Sequence, residues 1–170
     1  VVAVDVAAPD GPQHLIDTTI EHYGRLDVLV NNAGISRVLP AVDDDADGFR
    51  HEIEVDLVAP YELARRAARW WMANDRPGVV VNLGSILGEG SGGRLRLAGY
   101  AAAKGGLHNL TRELATQWAR RNIRVNALAP AWFETEMNSD AMFHDDSGIA
   151  YVEAGTPMGR GGMAHELDGA

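Results

Sequence analysis

Tyr100 and Lys104 stand four residues apart in "GYAAAKGG" (99–106), and Lys104 is the only lysine of the chain, against fourteen arginines. On a helix that spacing puts both side chains on one face. An ammonium beside a phenol favours the phenolate and is expected to lower the tyrosine pKa. A tyrosine tuned in this way serves as general acid or base near neutral pH. Lysine is a compact charge with rotating donors, able to meet a phenol and a second hydroxyl together, which the rigid arginine fork does less well. Ser85 closes the run "GVVVNLGS" (78–85), where its hydroxyl can hold a substrate oxygen while Tyr100 moves a proton. Plainer roles exist for each residue type. The lone lysine fits a genome that favours arginine codons, Ser85 fits a turn or helix cap, and Asn31 and Asn32 fit ordinary turn residues. Asp5 fits a strand-end cap.

These residues need elements to position them. "VVAVDV" (1–6), "LDVLV" (26–30), "GVVVNLGS" (78–85) and "IRVNALAP" (123–130) read as buried strands. Between them, residues 12–23, 46–73 and 100–121 carry apolar residues at helical spacing. Gly24 is a plausible stop for the first helix. Pro60 kinks the second helix or marks its true start. Alternating strands and helices predict an α/β fold, a doubly wound parallel sheet in three α/β/α layers. In such sheets the site lies beyond the carboxyl ends of the strands. Asp5, then Asn31 to Gly34, then Ser85, then Pro130 all fall at that edge. The last forty residues are glycine-rich and read as looser.

Composition narrows the classes. The chain has 170 residues, 46% of them hydrophobic, so one compact domain over 1–170 is expected. The net charge of −9 disfavours nucleic acid or an anionic membrane as partner. The absence of cysteine excludes disulfides and thiolate chemistry and fits a reducing, cytoplasmic setting. No apolar run is long enough to span a bilayer. His144 has no second ligand at supporting spacing, so no metal site is expected.

In this order the motifs resemble the short-chain dehydrogenase/reductase family. "DVLVNNAG" (27–34), "VVVNLGS" (79–85), "YAAAK" (100–104), "RVNALAPAWFETEM" (124–137) and "PMGRGGMAHELDGA" (157–170) carry the likeness across essentially the whole chain. The resemblance implies a Rossmann-like fold and hydride transfer between NAD or NADP and a carbonyl or secondary alcohol. It makes Tyr100 the acid/base, Ser85 the residue that polarises the substrate oxygen, and Lys104 the holder of the nicotinamide ribose. It sets Asp5 and Val6 against the adenine and Asn32, Ala33 and Gly34 near the adenosine ribose. Pro130, Ala131 and Thr135 would flank the nicotinamide, with the Thr135 hydroxyl near its carboxamide. It also implies a homodimer or homotetramer through helices 46–73 and 100–121, and one of the adjacent Trp70 and Trp71 is a candidate interface residue.

The sequence departs from the family in four ways. No glycine-rich diphosphate loop is found, and at both ends the chain stops short of the family's elements, so the sheet is expected to be incomplete at both ends. This reads as a fragment of a longer enzyme or a natural truncation. Asp56 stands where the family has an asparagine whose main chain helps hold a proton-relaying water. A carboxylate there is expected to pair with Lys104, weaken its hold on Tyr100 and shift the pH profile. Ala131 stands where glycine is usual, adding a methyl beside the nicotinamide. The segment 89–99 is also long, and Arg94 and Arg96 read as solvated surface. Residues 136–156 would cover the substrate, with Met137, Met142, Phe143 and His144 either lining a pocket or packing the segment down. The motifs suit sugar acids, polyols or 3-oxoacyl thioesters, without choosing among them or between NAD and NADP. Three readings remain open: an oxidoreductase, a truncated non-catalytic subunit that binds full-length partners, and an unrelated doubly wound binding module.

Overall fold

Alternate residues of three short strands point into one apolar layer, and that alternation organises the chain. The computed structural model describes residues 1–169. These divide after Leu128 into two compact units. In the first, β1 (Val28–Asn31), β2 (Gly78–Leu83) and β3 (Ile123–Leu128) form a parallel sheet in the order β1-β2-β3. Helices α1 (Gly11–Tyr23), α2 (Ala46–Ile53), α3 (Ala59–Ala73) and α4 (Ala98–Trp118) connect and cover it.

The core joins Leu29, Val80, Ile123 and Val125 of the sheet to Ile16 of α1, Leu114 of α4, and Leu63, Ala67 and Trp71 of α3. Alanines 64, 67 and 68 let α3 approach the strands closely. Gly78 makes room for the indole: a Cβ there would lie 2.2 Å from the Trp71 ring. The Trp71 Nε1–H donates to the Leu26 carbonyl at 2.7 Å. Trp71→Phe strands that carbonyl in a half-buried place. It is expected to cost about 1–3 kcal/mol of stability, read as a lower urea midpoint at unchanged m-value.

The α/β class and parallel sheet are as the sequence predicts. Among the described residues, however, helices cover only one sheet face. Val28 and Val30 are 51% and 55% exposed on the other. The cause is the direction of winding. The strands advance one way across the sheet, and right-handed crossovers then deliver both connections to the same side. Residues 1–6 form no strand, because no described strand lies beside them to share a ladder. The long helical stretch 46–73 is neither broken nor simply kinked at Pro60. It continues through a π-helical turn, Glu54–Val58, in which the Ala59 N–H reaches back to the Glu54 carbonyl. Pro60 has no N–H to give the Asp56 carbonyl, so a change of register at this point is natural. Gly24 closes α1 in the left-handed conformation, at φ 67°.

The second unit carries one helix that the sequence reading did not foresee, α5 (Asp146–Gly155). Its start is fixed by Asp145, whose carboxylate accepts the Ser147 and Gly148 N–H groups at 3.0 and 3.1 Å. Phe133 and Phe143 lie over the bare backbones of Gly162 and Gly161. Trp132 meets Tyr151 edge to face at 5.7 Å. Ala170, the last residue of the 157–170 motif, lies outside the described residues.

Candidate active site

The inner face of α4 is a polar stripe that meets the tip of β2 turn by turn. Tyr100, Lys104, His108 and Thr111 follow one another at helical spacing, and the last three are buried. Thr111 Oγ1 accepts from Asn82 Nδ2 at 2.9 Å, and Asn31 Nδ2 donates to Asn82 Oδ1 at 2.8 Å, which ties β1, β2 and α4 together. One turn back, the His108 Nε2 accepts the Ser85 backbone N–H at 3.3 Å. One turn further, Lys104 Nζ donates to the Leu83 carbonyl at 2.9 Å. At the start of the helix the half-buried Tyr100 phenol is hydrogen-bonded to the Ser85 side chain. Ser85 also caps the short turn Ile86–Gly88, its hydroxyl accepting the Leu87 N–H at 3.1 Å. A serine hydroxyl has one proton and two lone pairs, so capping and substrate binding are compatible in one residue.

Two carboxylates lie beneath this group, both fully buried: Asp56 in the π-helical turn and Glu52 in the last turn of α2. Asp56 Oδ1 accepts the Ile35 N–H at 3.0 Å, and Glu52 Oε1 accepts the Arg37 N–H at 2.8 Å. Together they pin the segment that follows "NNAG". Each keeps one oxygen without a hydrogen-bond partner. Gly34 passes directly over the pair formed by Asp56 and Lys104. A Cβ at Gly34 would come 2.7 Å from Asp56 Oδ1 and 3.5 Å from Lys104 Nζ. Gly99 likewise leaves space that a Cβ would take at 2.2 Å from Glu52 Oε2.

Burial dominates the charges. Asp56 is pushed up to about 6 by loss of water. The nearby Glu52 charge adds to that rise, while Lys104 and the Ile35 N–H oppose it. Lys104 is lowered by burial, against the pull of Asp56. Tyr100 is raised, first by burial and then by the Asp56 charge, with the Ser85 hydrogen bond opposing. This reverses the direction expected from the Tyr100–Lys104 spacing. The Lys104 Nζ lies 5.3 Å from the Tyr100 ring centroid, 2.9 Å from the Leu83 carbonyl and 3.9 Å from Asp56 Oδ1. The ammonium's hydrogen bond thus goes to β2, with the Asp56 carboxylate beside it.

The first unit thus gathers Ser85, Tyr100, Lys104, Asp56 and Gly34 around one strand tip. Asn32 and Ala33 are exposed just before Gly34. Asp5 is exposed and accepts the Ala7 N–H at 2.9 Å, a local turn, while Val6 packs on the core. Pro130, Ala131 and Thr135 belong to the second unit, where the Thr135 hydroxyl donates to Asn138 Oδ1 at 3.1 Å. There Met142 is buried, whereas Met137 is 52% exposed and the His144 side chain 62%. Trp71 is fully buried, and Trp70 packs half-buried against the same core. Sequence reasoning missed Glu52 and His108. The signal for His108 was present, since it stands one helical repeat beyond Lys104. No group of acidic or histidine side chains able to hold a metal occurs among the described residues. None of their helices is long and apolar enough to cross a membrane.

A family model described as enoyl-(acyl carrier protein) reductase matches residues 1–170. The 2-dehydro-3-deoxy-D-gluconate 5-dehydrogenase of Formosa agariphila is 32% identical over 166 residues, covering 98% of this chain and 62% of that protein. The 5-keto-D-gluconate 5-reductase of Escherichia coli K12 is 37% identical over 171 residues, covering 97% and 66%. A gluconate 5-dehydrogenase from Burkholderia cenocepacia, solved in complex with NADP and tartrate, superposes with a TM-score of 0.89 at 36% identity, covering 97% and 63%. The chain spans less than two thirds of the length of each of these proteins.

Proposed function

The chain belongs to the short-chain dehydrogenase/reductase family, and from that membership and the site's geometry we propose an oxidoreductase that uses NAD or NADP. The substrate is a carbonyl or secondary alcohol. A polyhydroxylated acid is the class favoured by the relatives' names. The observation that carries this reading is the meeting of Ser85, Tyr100 and Lys104 at one strand tip.

The residues present fit a nicotinamide ribose. An ammonium has three donors, and Lys104 gives one to Leu83, which leaves protons for ribose hydroxyls. Gly34 lets backbone pass close above it. When bound, the nicotinamide supplies or accepts the hydride. In the reducing direction the Ser85 hydroxyl donates to the carbonyl oxygen, and Tyr100 then gives that oxygen its proton. The tyrosinate so formed is held by the Lys104 charge until a proton returns from solvent. In the oxidising direction Tyr100 takes the hydroxyl proton as base. The raised Tyr100 pKa suits the acid role, and recruiting Lys104 toward the phenol would suit the base role.

Asp5, Val6, Asn32, Ala33, Pro130, Ala131 and Thr135 complete the proposed cofactor contacts. The pairing of chains through 46–73 and 100–121 belongs to the same proposal. The test is turnover by the protein purified from its own host, with each dinucleotide and a panel of sugar acids and their keto forms, followed by nicotinamide absorbance. Reversible turnover with one dinucleotide is expected. If no dinucleotide binds, the reading fails and the non-catalytic subunit takes its place.

A further inference from the structure

His108 is buried at 5% exposure, and both of its ring nitrogens are engaged. Nε2 faces the Ser85 backbone N–H at 3.3 Å, and Nδ1 lies 2.7 Å from Glu89 Oε1. The partners fix the tautomer. A backbone N–H only donates, so Nε2 must be bare; an ionised carboxylate only accepts, so Nδ1 carries the proton. The ring also fills the space around the strand tip. A Cβ at Gly84 would lie 2.0 Å from Nε2, and one at Gly88 would lie 2.9 Å from Cε1. Two glycines thus admit an imidazole that buttresses the chain on both sides of Ser85.

A second proton would have to go to Nε2. Two N–H groups would then face each other, and the Ser85 backbone would lose its acceptor. The charged and titratable groups around the ring are few. Glu89 comes from the turn after Ser85. Lys104 is one helical turn back, directed at Leu83 and Asp56, and Asp56 lies behind it in the π-helical turn. Tyr100 stands at the start of the same helix, bonded to the Ser85 side chain.

We propose that His108 is a positioning residue for Ser85: its bare Nε2 holds the serine backbone, and Glu89 keeps the ring in that tautomer. This rests on the reading of Ser85 as the residue that holds the substrate oxygen, and it adds a residue that fixes where that oxygen is held. It accounts for a buried histidine that the proton transfer itself does not use.

The first test needs no turnover. Nitrogen-15 NMR of the whole protein is expected to show His108 with a pyrrole-type Nδ1 and an imine-type Nε2. A protonated Nε2 at neutral pH overturns the proposal. The second test uses His108→Gln, whose amide oxygen can accept from Ser85 without titrating, and His108→Leu, which cannot accept. Gln is expected to keep kcat near the parent's. Leu is expected to lower kcat on the order of tenfold, as loss of one hydrogen bond allows, with the dinucleotide KM unchanged. Equal kcat in parent, Gln and Leu forms overturns the positioning role while leaving the oxidoreductase reading intact. Absence of turnover in the parent sinks that reading instead, and the NMR result still decides the contact.

Discussion

Tyr100→Phe is expected to lower kcat by about 10²–10⁴-fold, the range general acid–base catalysis supplies, while dinucleotide affinity and unfolding midpoint stay close to the parent's. Phenylalanine keeps the ring over which Lys104 sits at 5.3 Å, so the packing and the cation–π contact survive. What it removes is the phenol oxygen and its hydrogen bond to Ser85. Without it the proton must come from water, and Ser85 alone can only orient the substrate oxygen. The measurement is steady-state kinetics in both directions, paired with urea unfolding of the same samples. A variant that turns over within a few-fold of the parent would remove Tyr100 from the chemistry. A variant that loses activity together with its cooperative unfolding would say nothing specific about the phenol. Ser85→Ala and Lys104→Met would then decide, because each attacks the same proton path from a different side.

The second large effect concerns Asp56→Asn, and it is one of pH. The folded chain holds the Asp56 proton up to about pH 6, whereas an unfolded chain releases it near the ordinary value of 3.8. Between those values the native state binds more protons, so stability falls as pH rises through the window. The fall amounts to about 3 kcal/mol by pH 7. Asparagine has no proton to lose. The difference in unfolding free energy between variant and parent should therefore rise by about 2 kcal/mol in the variant's favour from pH 4 to pH 7, the rest having been lost below pH 4. The amide oxygen can keep the Ile35 N–H, so the segment above is retained. Urea unfolding across that range checks it, and a constant difference rejects it. The same substitution removes a negative charge that raises Tyr100. In the oxidising direction, which needs the phenol ionised, the rising limb of the pH–rate profile should move to lower pH. An unmoved limb would mean that Asp56 does not act on Tyr100.

Local rules carried a good part of this into the sequence. The i, i+4 spacing of Tyr100 and Lys104, the glycine after Tyr23, and the capping hydroxyl of Ser85 are properties of short stretches, and each stands where its residue types require. The sheet is different. Residues 1–6 have the composition of a strand, but a strand exists only beside a partner. The direction of the Tyr100 shift was also out of reach. Spacing brings an ammonium near a phenol, but burial and the aim of Nζ toward Leu83 depend on how α4 meets β2. Glu52 was illegible for a related reason, and His108 offered only its place one helical repeat beyond Lys104. A lone histidine or glutamate in a helical stretch reads as solvated until a glycine at 84 or 99 shows that space was left for it.

The π-helical turn at Glu54–Val58 has one more effect, on the phase of everything after it. A straight α-helix of 3.6 residues per turn started at the buried Glu52 would bring residue 70 to the same azimuth about five turns later. The turn spends one additional residue, so the inward azimuth passes to the next position, and Trp71 is the tryptophan at 0% exposure. The choice between two identical neighbours in "RWWM" is thus made more than ten residues upstream. A one-residue deletion within 54–58 would leave the composition of α3 nearly intact, yet rotate its alanine face off the strands and swap the partners of the two indoles.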